Sequence, residues 1–97
     1  MRDILGKGKG DEFHVIDIDG PTRIIFQKQV EDIILNCKGD LLFGWDYADP
    51  SEFNEYNAML YQAGDKLKEL TKDRCTHFYL MPLKKGERLR VYICAQR

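Results

Sequence analysis

The stretch HFYLMPLKKGERLRVYIC, residues 77–94, decides the fold class, because it contains two alternating runs separated by a turn. In each run, side chains of opposite character follow one another with period two, the pattern of a half-buried β-strand. A turn at 84–87 would bring the two runs together as a hairpin. The side of this hairpin that faces the core is predicted to hold Phe78, Leu80, Val91 and Ile93.

A second hairpin is predicted near the start of the chain, with strands 12–18 and 22–26. Asp19-Gly20 lies between two runs rich in β-branched and aromatic residues, and this dipeptide favours a two-residue turn. In that register Phe13 would face Phe26.

Two helices are predicted between the hairpins. Residues 27–38 carry apolar side chains at helical spacing, and Gly39 follows as a C-cap. After a short strand at 41–47, the tetrapeptide Asp49-Pro50-Ser51-Glu52 has the pattern of a helix start. The stripe expected on this second helix consists of Phe53, Tyr56, Leu60, Ala63, Leu67 and Leu70. The first helix would bury Val30, Ile33, Ile34 and Cys37.

The resulting order, ββαβαββ, predicts an α+β fold. It would be a single two-layer domain over 12–97, a mostly antiparallel sheet with two helices on one face. Residues 1–11 are predicted to form a flexible N-terminal arm because Gly alternates with Lys there. The absence of a long apolar run and the odd number of cysteines, 3, predict a cytoplasmic protein with free thiols and no membrane association.

The charges are distributed in blocks although the net charge is only −1. Residues 39–65 contain 6 acidic residues and no basic residue, whereas residues 66–97 contain 9 basic and 3 acidic residues. Such blocks favour two surfaces of opposite charge, and either surface is a candidate docking site. Pairing of the two blocks between copies of the chain would give a homodimer, which stays open at this point.

The acidic block also contains aromatic residues. Aromatic side chains anchor interfaces and carboxylates attract cations, so this combination is suited to binding a basic protein surface. We therefore predict a small non-enzymatic regulator or inhibitor that docks a basic protein partner, without a cofactor. Its carboxylates would also be able to imitate a phosphate track, while a solvated helix start is the plain alternative. The predicted partner-binding residues are Trp45, Asp46, Tyr47, Asp49, Glu52, Glu55 and Tyr61.

Nucleic-acid binding by the C-terminal hairpin is the alternative prediction. Tyrosines on an open sheet stack bases, and arginines neutralise phosphates. The sequence pI of about 6.1 argues against a dedicated nucleic-acid module. The residues predicted for this face are Tyr79, Lys84, Lys85, Arg88, Arg90 and Tyr92.

A metal site is a weaker candidate on the same hairpin. Cys75 and His77 share a face by period two, and Cys94 would lie opposite His77, so that three zinc ligands would converge. The hairpin offers no obvious fourth ligand. A Cys94–His77 nucleophile pair would in addition need an orienting acid and an oxyanion site.

The segment FHVIDIDGPT, residues 13–22, resembles the first motif of the haloacid-dehalogenase phosphatases. The resemblance implies a phosphoryl nucleophile at Asp17 and a general acid at Asp19. Pro21 departs from the motif, and the chain is short for the parallel sheet on which such a site is built. Asp19-Gly20 as a hairpin turn accounts for the same residues.

Overall fold

The computed structural model describes residues 1–8, 10–63 and 68–97, except for the side chains of residues 68–73. The prediction of an α+β fold is wrong, because strands make up 60% of the chain and the described ranges contain no α-helix. A 3-10 turn covers Pro50–Glu52. The strands in the described ranges are β1 Arg2–Leu5, β2 Glu12–Ile18, β3 Thr22–Cys37, β4 Leu41–Trp45, β5 Met59–Tyr61, β6 Lys68–Pro82 and β7 Leu89–Gln96.

The strands form one sheet in the order β2-β7-β3-β6-β4-β5. All pairs are antiparallel except β1, which runs parallel to β3. The sheet curls on itself, since β2 at one end and β5 at the other contribute Ile18 and Tyr61 to the same core. The long strand β3 joins the two halves by pairing with β6 over 22–35 and with β7 over 32–37.

The first predicted helix is instead the second half of β3. A register shift between Ile25 and Val30 inserts extra residues into the strand. After this β-bulge the buried positions are Val30, Ile33, Leu35 and Cys37, with Ile34 facing partly outward. A second register shift, between Val30 and Asp32, lies between the buried residues Val30 and Ile33. Their spacing of three imitates helical periodicity in the sequence.

The second predicted helix stops after one turn. The predicted start is correct, because Asp49 and Glu52 form a reciprocal capping box around Pro50. The chain then leaves helical geometry, and the Asn54 side chain accepts a hydrogen bond from the Tyr56 backbone N–H, a local bond that competes with helix formation. Of the expected stripe only Phe53 is buried among the residues described; Leu67 and the side chain of Leu70 lie outside them.

Neither predicted hairpin forms. β2 pairs with β7, and β6 pairs with β3 and β4, so each turn links strands that are not neighbours in the sheet. The buried side of the C-terminal runs is nevertheless as predicted, because Phe78, Leu80, Val91 and Ile93 are all fully buried. Period two determines which side chains enter the core but leaves the partner strand open.

Residues 2–5 of the predicted arm form β1, and the Asp3 carboxylate pairs with Arg23 of β3 at 3.0 Å. The three cysteines are free thiols, with Cys37 and Cys75 buried. In the part of the chain that the structure describes, no helix has the length and apolar character to cross a membrane.

Candidate functional site

Residues 46–58, which we call the acidic loop, connect β4 to β5 and cover the outer face of the sheet. Phe53 and Tyr79 pack there with ring centroids 5.3 Å apart, and Tyr47 meets Tyr79 edge-to-face at 5.1 Å. The Tyr47 hydroxyl donates a hydrogen bond to the Asn57 carbonyl at 2.6 Å. These contacts form a small second core, with Leu42 beneath it, that holds the loop on the sheet.

Asp46 fixes the start of the acidic loop. Its backbone lies in the left-handed region with φ 52°, a conformation that Asp tolerates better than most residues. Its Oδ1 accepts hydrogen bonds from the His77 backbone N–H at 2.9 Å and from the N–H and hydroxyl of Thr76, both at 3.1 Å. The carboxylate that sequence analysis assigned to a partner thus connects the loop to β6.

Asp49 and Glu52 are exposed at the capping box. Hydrogen bonds from Ser51 lower the pKa of Asp49 below its ordinary value. The Ser51 backbone N–H donates a hydrogen bond to the Asp49 carboxylate, and the Asp49 backbone N–H donates one to the Glu52 carboxylate. The acidic loop thus presents negative charge from a fixed backbone.

The tip of the acidic loop is its most accessible part. The exposed fraction of Tyr56 is 86%, and the neighbouring Glu55 is exposed as well. Met59 and Leu60 of β5 follow, also exposed, where sequence analysis expected a helix. The exposure of Tyr56 was not predicted, because the helical spacing in the sequence placed this residue on a buried stripe.

Two predicted partner-binding aromatics belong to the interior instead. Tyr61 is fully buried, and its hydroxyl accepts a hydrogen bond from the Cys37 backbone N–H at 3.2 Å. Trp45 is half-buried against the core, where its ring lies 6.2 Å from that of Phe43. The exposed part of the predicted set is thus Asp46, Asp49, Glu52 and Glu55.

The residues of the predicted nucleic-acid face are divided among three places. Tyr79 is only 1% exposed under the acidic loop. Lys84 and Lys85 line a groove of about 350 Å³ beside the turn after β2, together with Glu55 and Asp19. Only Arg88, Arg90 and Tyr92 stay together, lining one groove on the side of β7 that faces solvent.

Asp17 of β2 lies opposite Arg90 of β7 and binds it through both carboxylate oxygens, at 2.9 and 3.3 Å. Arg88 lies 3.6 Å from the same carboxylate. The hydrogen bond from Arg90 lowers the pKa of Asp17 below its ordinary value. The resemblance to the phosphatase motif implied that this carboxylate is a nucleophile, but two guanidinium groups lie against it.

The predicted metal ligands do not form a cluster. The Cys75 thiol is buried and donates to the His77 carbonyl at 3.5 Å, while His77 Nδ1 lies 2.9 Å from the Thr76 hydroxyl. Cys94 lies on β7, opposite Phe13 of β2. Within the described ranges no three Cys, His, Asp or Glu side chains are arranged to hold a metal ion.

A buried polar cluster lies at the other end of the core, formed by Glu12, His14 and Arg97. Glu12 Oε1 lies 2.9 Å from His14 Nε2 and accepts the Lys7 backbone N–H at 2.7 Å, and Oε2 accepts from Arg97 at 2.6 Å. Burial disfavours the charged carboxylate, but the bonds from Arg97, the Lys7 backbone and His14 outweigh it and lower the pKa of Glu12 to about 2. Arg97 Nε is buried without a hydrogen-bond partner in the described structure.

Sequence analysis missed this cluster, although a signal was present. Glu12 and His14 continue the period-two set of Ile16 and Ile18, which fill the core. The predicted pairing of β2 with β3 hid this, because in that register Phe13, and not His14, would face Phe26. The arrangement is a charge-assisted network that joins β2 to the chain after β7.

No family model matches the chain, and no curated protein matches it. Among solved structures, the chain is similar to a cupin-2 domain containing protein from Shewanella frigidimarina, with 14% sequence identity and a TM-score of 0.48. The alignment covers 95% of this chain and 76% of that one. A likeness at this level assigns neither a family nor an activity to the chain.

Proposed function

We propose that this chain is a small non-enzymatic regulator or inhibitor that docks a basic protein surface through the acidic loop. The observation that supports the proposal is the loop tip, where Tyr56, with an exposed fraction of 86%, stands beside Glu55. The sequence from 39 to 65 contains no Lys or Arg. A partner with basic side chains around an apolar pocket fits this surface.

The fixed backbone of the acidic loop favours binding. Ordering of side chains and loops on binding costs free energy. A loop that is already ordered before it meets the partner therefore loses less conformational entropy on binding. The Asp49–Glu52 capping box, the bond from Tyr47 to Asn57 and the anchoring of Asp46 on β6 together hold this loop. Exposed tyrosines are frequent anchors of interfaces, and the surrounding carboxylates would speed encounter with a cationic partner.

Strand β5 extends the proposed surface. In the described sheet it is the last strand in the order and pairs only with β4. Met59 and Leu60 are exposed on it, with fractions of 43% and 42%. These exposed apolar side chains would add apolar contact with the partner beside the carboxylates.

The proposal predicts that Tyr56→Ala weakens partner binding by about 30-fold, the loss of roughly 2 kcal/mol that defines a strong anchor. Glu55→Lys should weaken binding by repulsion and reduce the sensitivity of the remaining binding to salt, because an attractive charge is lost. The measurement is a nuclease-treated pull-down from cell lysate at low and high salt, followed by titration of the captured protein. Neither residue makes a side-chain hydrogen bond or ion pair that the structure describes, so both variants should stay folded.

Tyr92→Ala serves as the matched control, since it removes an exposed tyrosine that lies on β7, outside the acidic loop. It should leave the captured protein unchanged. Retention of the same protein at full affinity by Tyr56→Ala and Glu55→Lys would contradict the proposal.

A further inference from the structure

The solvent side of the β2–β7 pair carries an apolar strip. Alternate residues of β2 point outward there, and Phe13 and Val15 are exposed by 57% and 48%. Across the ladder, Val15 lies opposite Tyr92, which is 41% exposed, and Phe13 lies opposite Cys94. We call Phe13, Val15, Asp17, Arg90, Tyr92 and Cys94 the outer β2–β7 face.

One end of this face is cationic. Arg90 and Tyr92 occupy alternate positions on β7, and Arg88 immediately precedes this strand. The three side chains line an open groove of about 770 Å³ with Lys38, which follows β3. The side chains of Arg88 and Arg90 are 73% and 62% exposed. Their guanidinium groups therefore reach solvent although both approach Asp17.

The groove keeps a surplus of positive charge. Its lining includes three cations, Lys38, Arg88 and Arg90, against the carboxylates of Asp17 and Glu87. Asp17 stands between the two guanidinium groups, with Arg90 at 2.9 Å and Arg88 at 3.6 Å. A single carboxylate thereby holds two cations close together, and their outward N–H groups remain available to an anion.

The aromatic rings lie at a spacing that suits successive planar groups. Phe13 and Tyr92 are diagonal neighbours across the ladder, since Tyr92 pairs with Val15, two residues beyond Phe13. Diagonal neighbours on one face of an antiparallel pair lie about 7 Å apart. A flat ligand with two rings joined by an anionic linker would meet both side chains and the cationic end.

We propose that the outer β2–β7 face binds single-stranded nucleic acid. Unpaired bases stack on Phe13 and Tyr92, and the backbone phosphates lie against Arg88, Arg90 and Lys38. Exposed aromatics on neighbouring strands with cations at one end are the means by which open sheets bind single strands without strict sequence preference. The site is separate from the acidic loop, so it goes beyond the proposed protein docking and does not depend on it.

The test is fluorescence anisotropy with a fluorescein-labelled oligouridylate of about ten nucleotides, within the length range of single-strand sites. Three phosphate contacts predict a salt slope of about −2, so that binding weakens about 15-fold between 50 and 200 mM salt. The double variant Arg88→Gln, Arg90→Gln should flatten this slope. Phe13→Ser should weaken binding about tenfold by removing a stacking surface.

Asp17→Asn gives a result that a merely structural role of this face would not produce. Removing the carboxylate frees both guanidinium groups, so the oligonucleotide should bind several-fold more tightly. Tyr56→Ala is the control variant and should bind as the unaltered protein does. Circular dichroism would establish that each variant is folded, which is expected because all the altered side chains are solvent-accessible.

Two outcomes would overturn the proposal. One is the absence of any anisotropy change at 50 mM salt with both the RNA and the corresponding DNA. The other is unchanged affinity in Phe13→Ser together with light scattering that finds the unaltered protein dimeric and Phe13→Ser monomeric. The second result would assign the apolar strip to contact between two copies of the chain.

Discussion

Replacing Arg97 with alanine is expected to lower the free energy of unfolding by about 3 kcal/mol, because one member of a buried ion pair is lost while the other stays buried. The side chain of Glu12 is fully buried, and Arg97 contacts it at 2.6 Å. Without Arg97 the carboxylate keeps hydrogen bonds with the backbone of Lys7 and Gly8 and with the His14 ring, but no guanidinium group. Chemical denaturation at neutral pH would measure the loss.

The same cluster predicts acid sensitivity. The pKa of Glu12 falls from 4.5 to about 2 in the folded protein. A lowered folded-state pKa stabilises the protein above the unfolded-state value, so this contribution is complete above pH 4.5 and is lost as the pH falls toward 2. Its size is up to about 3 kcal/mol, and Glu12→Gln should remove this part of the pH dependence.

Arg90→Ala is the matched control, because it also breaks a bond between an arginine and a carboxylate. Arg90 is well exposed and pairs with Asp17 at the surface, where such a pair contributes less than about 1 kcal/mol. The assignment of the buried cluster would be contradicted if Arg97→Ala and Arg90→Ala lowered the free energy of unfolding equally. It would also be contradicted if Arg97→Ala had the same free energy of unfolding as the unaltered protein.

Tyr79→Ala is expected to cost about 3 to 5 kcal/mol, the range for removal of a large buried aromatic side chain. Its ring packs edge-to-face on Tyr47, lies beside Phe53 and receives Arg23 at 5.9 Å from its centroid. The acidic loop should also become less ordered, because Tyr47 and Phe53 pack on this ring. Tyr92→Ala, at a tyrosine that sequence analysis placed on the same face, should change stability by less than about 0.5 kcal/mol.

Thermal unfolding and hydrogen exchange together would separate a local loosening of the acidic loop from a general loss of stability. Tyr79→Ala should lower the unfolding temperature and increase exchange at the backbone N–H groups of Ser51 and Asn57 in the acidic loop. Exchange faster by the same factor in every strand would instead indicate a general loss of stability. Equal stability of the Tyr79 and Tyr92 variants would contradict the burial difference between the two residues.

The buried residues of the C-terminal runs were predictable from the sequence, but their neighbours were not. Alternation determines that Leu80 and Val91 point inward, because the side-chain period of a strand is two. It does not determine that β3 lies between their strands. Strand partners depend on contacts across the whole sheet, and turn residues such as Asp19-Gly20 are equally compatible with a link between non-adjacent strands.

The helix predictions were wrong for two local reasons. A bulge in β3 placed Val30 and Ile33 three residues apart, which matches a helical stripe. The capping box at Asp49 is a true helix start, but the side chain of Asn54 and the packing of Phe53 on the sheet end the helix after one turn. Tertiary contacts thus override a correct local signal.

The candidate site was partly predictable. Composition located the acidic loop, since carboxylates and aromatics lie together in the sequence, and Glu55 is exposed there as expected. The residues that anchor the loop, Asp46 and Tyr47, could not be told from those that are exposed on it. Their difference comes from β6, which supplies Thr76 and Tyr79 from a distant part of the chain.

The position of β3 between β6 and β7 also has a kinetic consequence. Ile33 of β3 and Glu12 of β2 both pair with Ala95 of β7. The ladders of β2 and β3 therefore cannot be completed before β7 is present. Domains dominated by such long-range pairings fold in milliseconds to seconds rather than microseconds. During synthesis, the apolar side chains of β2 and β3 therefore remain without part of their core until β7 has left the ribosome, a period in which a chaperone would have reason to bind them.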